Sequence, residues 1–423
     1  MSDTIFGTRE QLRDTASGFF QQYGLAFVMV ASVVGAGSIF VASSVGIQYG
    51  YTLIWGFVAA ALIGVMAQDM SARLGIFGEP LGTFMRRKFG ERVSLALGAV
   101  LSVGAILWTI ELTAATAKGV SVLLGGAVGW QPLAVAVTVL AVLTGVLNYE
   151  GLERVMTAML FVLLAAYLLV AGTSSPSALG IAGGFVPSLP GGSLTLVASV
   201  VGSTAIWSNF FLESNLVAEK GWTSAEDVPT MRKDLAMGYG IAVVLILSVL
   251  VVSAAVLRPA GYEELRSFIT PGRALGSTMG QWATVLFLFG ASAAAFNSIM
   301  PVMWAVVYLF QNARGVAVDS ANRSFKLIYA VGTASGLLAP LVNVVFGLSV
   351  VEMVVLFAAY SGIVSLPITA VLLFWAVNDE EVMGDRTNGL GLNALNAVLV
   401  VLAFVLAAIS LPGFLQSFGE ILL

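Results

Sequence analysis

Apolar runs of about 20 residues follow one another along almost the whole chain, each long enough for a helix to cross the hydrocarbon core of a bilayer. Eleven spans are read, near 24–44, 51–71, 93–117, 131–149, 155–173, 195–217, 235–257, 282–310, 327–346, 350–377 and 393–412. None alternates with period two, which excludes the strands of a β-barrel. The fold class is therefore an all-α polytopic membrane protein. Only 10% of the 423 residues are charged, against about 25% in soluble domains, and no polar stretch is long enough for a soluble catalytic domain. Cys and His are absent, which removes disulfides, thiolate chemistry and the commonest transition-metal ligand. The polar stretch 1–22 lacks the apolar centre of a cleavable leader. A net charge of −4 gives no sign of a nucleic-acid partner. No Walker loop, nucleophile elbow or dinucleotide fingerprint occurs. No enzyme and no cofactor is expected, and any driving energy has to come from a gradient. The expected partners are the lipid bilayer and a small cation or small solute.

Lys and Arg set the orientation. With the N-terminus in the cytoplasm, most of them fall inside, and only Arg258, Arg266 and Arg273 stand in outer loops, with Lys118 near the outer end of span 3. The run Arg86-Arg87-Lys88 reads as an anchor at the inner headgroups. Eleven spans then place the C-terminus outside a plasma or inner membrane. The expected organisation is a tail over 1–23, a five-span unit over 24–174, an outer loop over 175–194 that is rich in Gly, Ser and Pro, a second five-span unit over 195–378, and a loop with an extra helix over 379–423. An odd number of spans per unit inverts the second unit relative to the first, which makes spans 1 and 6 equivalent.

Those two spans share a sequence. Residues 31–40 read Ala-Ser-Val-Val-Gly-Ala-Gly-Ser-Ile-Phe, and Ala-Ser-Val-Val-Gly returns at 198–202. Gly35, Gly37 and Ser38 are expected to break span 1, and Gly202, Ser203 and Thr204 to break span 6. A glycine-interrupted span at corresponding places in two halves points to a transporter's binding site. Unpaired backbone groups survive in a membrane only where protein or a polar cavity satisfies them. The same small residues also suit close helix packing, and that reading stays open. Ser208 and Asn209 follow with oxygens that could face the break. Trp207 offers either a ring face to a cation or a packing wall. Glu111, inside span 3, and Lys118 two turns on are candidates for a proton or ion relay. The rise per residue separates them by about 10 Å, and a buried charge held by polar neighbours is the alternative. Asp69 and Arg73 are spaced for an i,i+4 ion pair. Glu213 and Glu352 near span ends, and Asn297, Ser298 and Asn343 at membrane depth, are polar with no readable direction.

The segment Gly46-Ile47-Gln48-Tyr49-Gly50-Tyr51-Thr52-Leu53-Ile54-Trp55, followed by Ser71-Ala72-Arg73-Leu74-Gly75, resembles the Nramp family of proton-coupled divalent-metal transporters. Glu111 falls where that family carries a glutamate, and Gly183-Gly184-Phe185-Val186-Pro187 is similar to its loop before span 6. The resemblance implies the inverted five-plus-five repeat of the amino-acid/polyamine/organocation (LeuT-like) fold, with helices 1 and 6 broken. It implies metal-ion transport by alternating access, spans 1, 2, 6 and 7 rocking against the rest. The family's metal ligands do not carry over. Its Asp-Pro-Gly-Asn corresponds to Gly35-Ala36-Gly37-Ser38, and its Met-Pro-His to Ile206-Trp207-Ser208. Lys118 stands where many members place an aspartate. Hydroxyl and backbone oxygens suit a hydrated hard cation and do not select manganese or iron. Residues 35–40 are also similar to the Gly-Ser/Ala-Gly-Ile-Phe break of amino-acid permeases, where half-helix amides hold a carboxylate. Three functions are therefore carried forward: divalent-cation transport, transport of an amino-acid-like or amine solute, and a membrane sensor that kept the scaffold.

Overall fold

The computed structural model describes Leu25 and residues 33–147, 150–265 and 267–422. The expected tail over 1–23, most of the first half of span 1 with Ala31 and Ser32, and Arg266 lie outside the described residues. Eight helices are long and apolar enough to cross a membrane, and they supply spans 2, 3 and 6 to 11. Helices Trp130–Leu147 and Glu150–Thr173 occupy the places of spans 4 and 5, and Ala36–Tyr49 is the resumed half of span 1.

Lipid tails give no hydrophobic drive between helices, so close packing and polar contacts hold them together. Span 3 (Leu81–Leu123) lies along span 8 (Gln281–Arg314), with Gly98 against Leu309 and Gly119 against Phe268. The outer half of span 1 rests on span 7 because Gly46 has no side chain. A Cβ there would stand 2.8 Å from the Cβ of Ser253 and closer still to the Leu250 carbonyl. One turn away the hydroxyls of Ser43 and Ser253 meet at 3.0 Å. Spans 9 and 11 are peripheral and turn Leu341, Val344, Val398 and Val401 outward, an apolar surface that lipid covers.

Three local features differ from expectation. Span 3 is interrupted at Gly90 (φ 76°), a backbone state that glycine adopts without strain, so residues 81–89 form a separate short helix. The outer loop contains a helix, Ala178–Gly184, whose N-cap Ser177 accepts from the Gly180 amide at 3.0 Å. It sits on Tyr51, since a Cβ on Gly180 would stand 2.6 Å from that ring. The Arg86-Arg87-Lys88 run is not given over to headgroups. Lys88 pairs with Asp379 at 2.6 Å and Glu381 at 2.8 Å, and Arg87 with Glu79 at 3.0 Å, tying the inner start of span 3 to the loop after span 10.

Candidate functional site

Span 1 resumes at Ala36 after Gly35, which is extended at φ −94°, ψ −174°. Gly35 therefore lies in the break, while Gly37 and Ser38 form the first turn of the resumed helix. Span 6 stops at Thr204 and resumes at Trp207. The residues out of helix are Ala205 (φ −93°, ψ 75°) and Ile206 (φ −76°, ψ 106°). Gly202, Ser203 and Thr204 thus complete the last turn before the break instead of forming it.

A helix end leaves its last carbonyls without partners, and here one is used across the molecule. Ser38 Oγ donates to the Ser203 carbonyl at 2.9 Å and also lies against the Val33 carbonyl. A hydroxyl has one proton, so it serves one of these carbonyls at a time and leaves the other oxygen available. The two broken spans meet at this point. Gly202 does something else. A Cβ on Gly202 would collide with the Ala358 carbonyl, and one on Gly362 would stand 2.5 Å from the Ala198 carbonyl. The pair of glycines lets spans 6 and 10 cross in backbone contact, so the packing reading holds for Gly202.

Between the breaks is a cavity of about 20 Å³ lined by Gly35, Gly37, Ser38, Glu111, Ser203 and Ile206, with Trp108 and Ser298 in its wall. That is room for about one water or a bare ion. Glu111 is buried, and one of its oxygens has no hydrogen-bond partner. The other would be 3.1 Å from a Cβ on Gly37. Ser298 Oγ bonds the Ala294 carbonyl at 2.9 Å and faces Gly35. Among the described residues no group of three or more His, Cys, Asp or Glu could hold a metal ion. The oxygen set is one carboxylate, hydroxyls and freed carbonyls.

Thr204, Trp207, Ser208 and Asn209 are buried but do not line this cavity. Trp207 stands behind Trp108, the rings stacked at 6.5 Å and 14°. Lys118 is half-buried, and among the described residues no hydrogen bond or ion pair joins it to Glu111. Trp108 was not a candidate from sequence, yet it lies three residues before Glu111 on the same helical face, which was the available signal.

The two ends of the bundle differ. At one end a cavity of about 770 Å³ is lined by Ser44, Gln48, Thr195, Glu264, Glu352 and Leu356, among others. At the Lys/Arg-rich end Asp69 holds Arg73 at 3.0 Å and Arg232 at 2.6 Å, while Arg73 donates to Asn388 at 2.6 Å. Asn312 donates to Asn215 at 3.1 Å, and Ser71 donates to the Phe210 carbonyl. The expected Asp69–Arg73 pair is present, with Arg232 added from span 7.

Residues 26–412 match the family described as natural resistance-associated macrophage protein-like (Nramp). A divalent metal cation transporter MntH of Pectobacterium carotovorum subsp. carotovorum (strain PC1) is 25% identical over 396 residues, 90% of this chain and 91% of that protein. The MntH of Yersinia pestis (strain Pestoides F) is 28% identical over 292 residues, 65% of this chain and 68% of that one. The Eremococcus coleocola manganese transporter, as its H236A mutant, superposes with a TM-score of 0.75 at 16% identity, covering 94% of this chain and 88% of that chain. The transporter MhsT, solved with L-phenylalanine, superposes at 0.64 with 14% identity, over 92% of this chain and 98% of that one. At such identities the structural likenesses bear on fold alone, and the fold is the LeuT-like one.

Proposed function

The chain belongs to the Nramp family, and from that premise we propose that it is a secondary transporter carrying a divalent metal cation by alternating access. The observation that carries the proposal is the cavity between the two helix breaks. The Ser38 hydroxyl, the Val33 and Ser203 carbonyls and the Glu111 carboxylate are drawn together there. A divalent ion leaving water needs several oxygens and a compensating charge, and this set supplies both in sparse form. Ile206 brings no thioether to the cavity, and imidazole is absent from the chain. The proposed cargo is accordingly a hard cation that keeps part of its water shell, with little preference for manganese over magnesium or calcium.

The 20 Å³ of room favours an ion over an amino-acid-like solute in this conformation. Glu111 is the group we assign to proton coupling at the site. Spans 1, 2, 6 and 7 would rock within two inverted five-span units over 24–174 and 195–378. We place the Lys/Arg-rich end in the cytoplasm of a plasma membrane, which puts the N-terminus inside and the C-terminus outside.

The test is uptake of Mn²⁺, Mg²⁺ and Ca²⁺ into proteoliposomes, with and without an acid-outside gradient. Movement of all three ions at similar rates, faster with the gradient, is the expected result. Flat traces for every ion, with silent binding calorimetry, would overturn the metal assignment. Thermal stabilisation by amino acids or amines would then favour the organic solute, and inertness to all of them the sensor.

A further inference from the structure

At the Lys/Arg-rich end, away from the central cavity, two carboxylates are buried where spans 6 and 7 meet. Glu213 is 0% exposed, and neither of its oxygens has a hydrogen-bond partner. Asp234 is 0% exposed and has Lys220 Nζ 3.8 Å away. The charges of Asp234 and Lys220 both act on Glu213, and Glu213 acts on Tyr239. The Tyr239 hydroxyl is buried without a partner and lies against Gly64 of span 2.

The charged groups on the surrounding elements are engaged elsewhere. On span 2, Asp69 and Arg73 are bound to each other and to Arg232. On span 8, Tyr308 donates to Glu219 at 2.7 Å. The cluster therefore contains two carboxylates and one ammonium. A surplus negative charge in a dry, membrane-embedded site is costly, and binding one proton removes it.

We propose that Glu213 and Asp234 hold one proton between them, and that its release unlatches the second half of span 6 from spans 2 and 7. Asp234 faces Lys220, so the proton sits on Glu213. It leaves to water past Lys220, whose side chain is 17% exposed and lies 4.3 Å above the Trp222 ring. Once ionised, Glu213 is better solvated with the inner end open, so the open population rises with pH. The inference adds a proton site to the transport reading, but proton binding is measured here without any cargo, so either can fail while the other stands.

The chain has no cysteine, so Val217→Cys introduces a single thiol. Val217 is fully buried, on the same half-helix as Glu213 and against Gly75 of span 2. The full chain in lipid nanodiscs, with no metal added, is alkylated across pH, and each rate is divided by that of the unfolded chain. Protection should fall as pH rises, by up to about tenfold per unit for one proton. Glu213→Gln should stay protected throughout. Lys220→Met, which removes the only cation, should move the midpoint upward. A flat parent profile, a Glu213→Gln profile that titrates like the parent, or an unmoved midpoint in Lys220→Met would each overturn the proposal.

Discussion

Gly37 holds its place through what it leaves empty. A methyl group there would stand 3.1 Å from the Glu111 carboxylate and 3.9 Å from the Ser203 Cβ, so the carboxylate would have to give way by a few tenths of an ångström. Helix propensity works in the opposite direction, favouring alanine by about 1 kcal/mol. Gly37→Ala should therefore keep or raise the melting temperature while ion uptake falls, a divergence that a purely structural glycine would not show. Ile206→Met tests the chemistry of the same wall. A thioether beside the freed carbonyls should raise Mn²⁺ uptake relative to Mg²⁺ and Ca²⁺, read as competition between the ions in proteoliposomes. Ser38→Ala removes the hydrogen bond that joins the two breaks, a net loss of about 1 kcal/mol, and should lower both stability and uptake.

Between elements, the crossing of spans 6 and 10 depends on two glycines. Gly202→Ala would press a methyl group into the Ala358 carbonyl. Overpacking of this kind costs about 1–3 kcal/mol, so the melting temperature in detergent should drop clearly, whereas the same substitution at the exposed Gly183, where nothing lies within 4 Å, should do little. The difference in role between Gly35 and Gly202 also shows what could be read from sequence. The spans were legible because the bilayer fixes their length and composition. The break at Gly35 was legible because no strong helix former holds that position. The break in span 6 was placed about a turn early, since Ala205 and Ile206 carry no breaking signal. That end is associated with a bond from Ser38, 165 residues away, and no local pattern encodes such a partner. The helix Ala178–Gly184 was hidden for a related reason. Its glycines read as loop, and they are there to admit Tyr51. Of the candidate site, the residues of span 1 and Glu111 were found directly, while Trp108 required following the helical face of Glu111.

Across the whole molecule, a large cavity at one end and a latch of ion pairs at the other describe a bundle closed on its Lys/Arg-rich side. Two carboxylates in that region make separable predictions. Glu79, between spans 2 and 3, is pushed above the usual glutamate range by burial first, with Asp379 adding to it and Arg87 and Lys88 opposing. The folded chain then binds that proton more tightly than the unfolded chain. Its contribution to stability is present below the unfolded value and fades as pH rises through the folded one. Glu79→Gln should flatten that acid-side slope in thermal unfolding. Asp69 acts differently, as the one carboxylate between Arg73 and Arg232. Asp69→Asn leaves two guanidinium groups facing each other across spans 2 and 7, and like charges in a half-buried seam repel. The latch should loosen there first. Ser71, two residues on, fastens span 2 to the Phe210 carbonyl, so backbone amides over 210–217 should exchange hydrogen faster. Asp319→Asn, in an exposed loop where the side chain only accepts from the Ala321 amide, should leave those amides unchanged. Equal exchange in the two variants would mean that the Lys/Arg-rich end is held by packing alone and that its ion pairs are incidental.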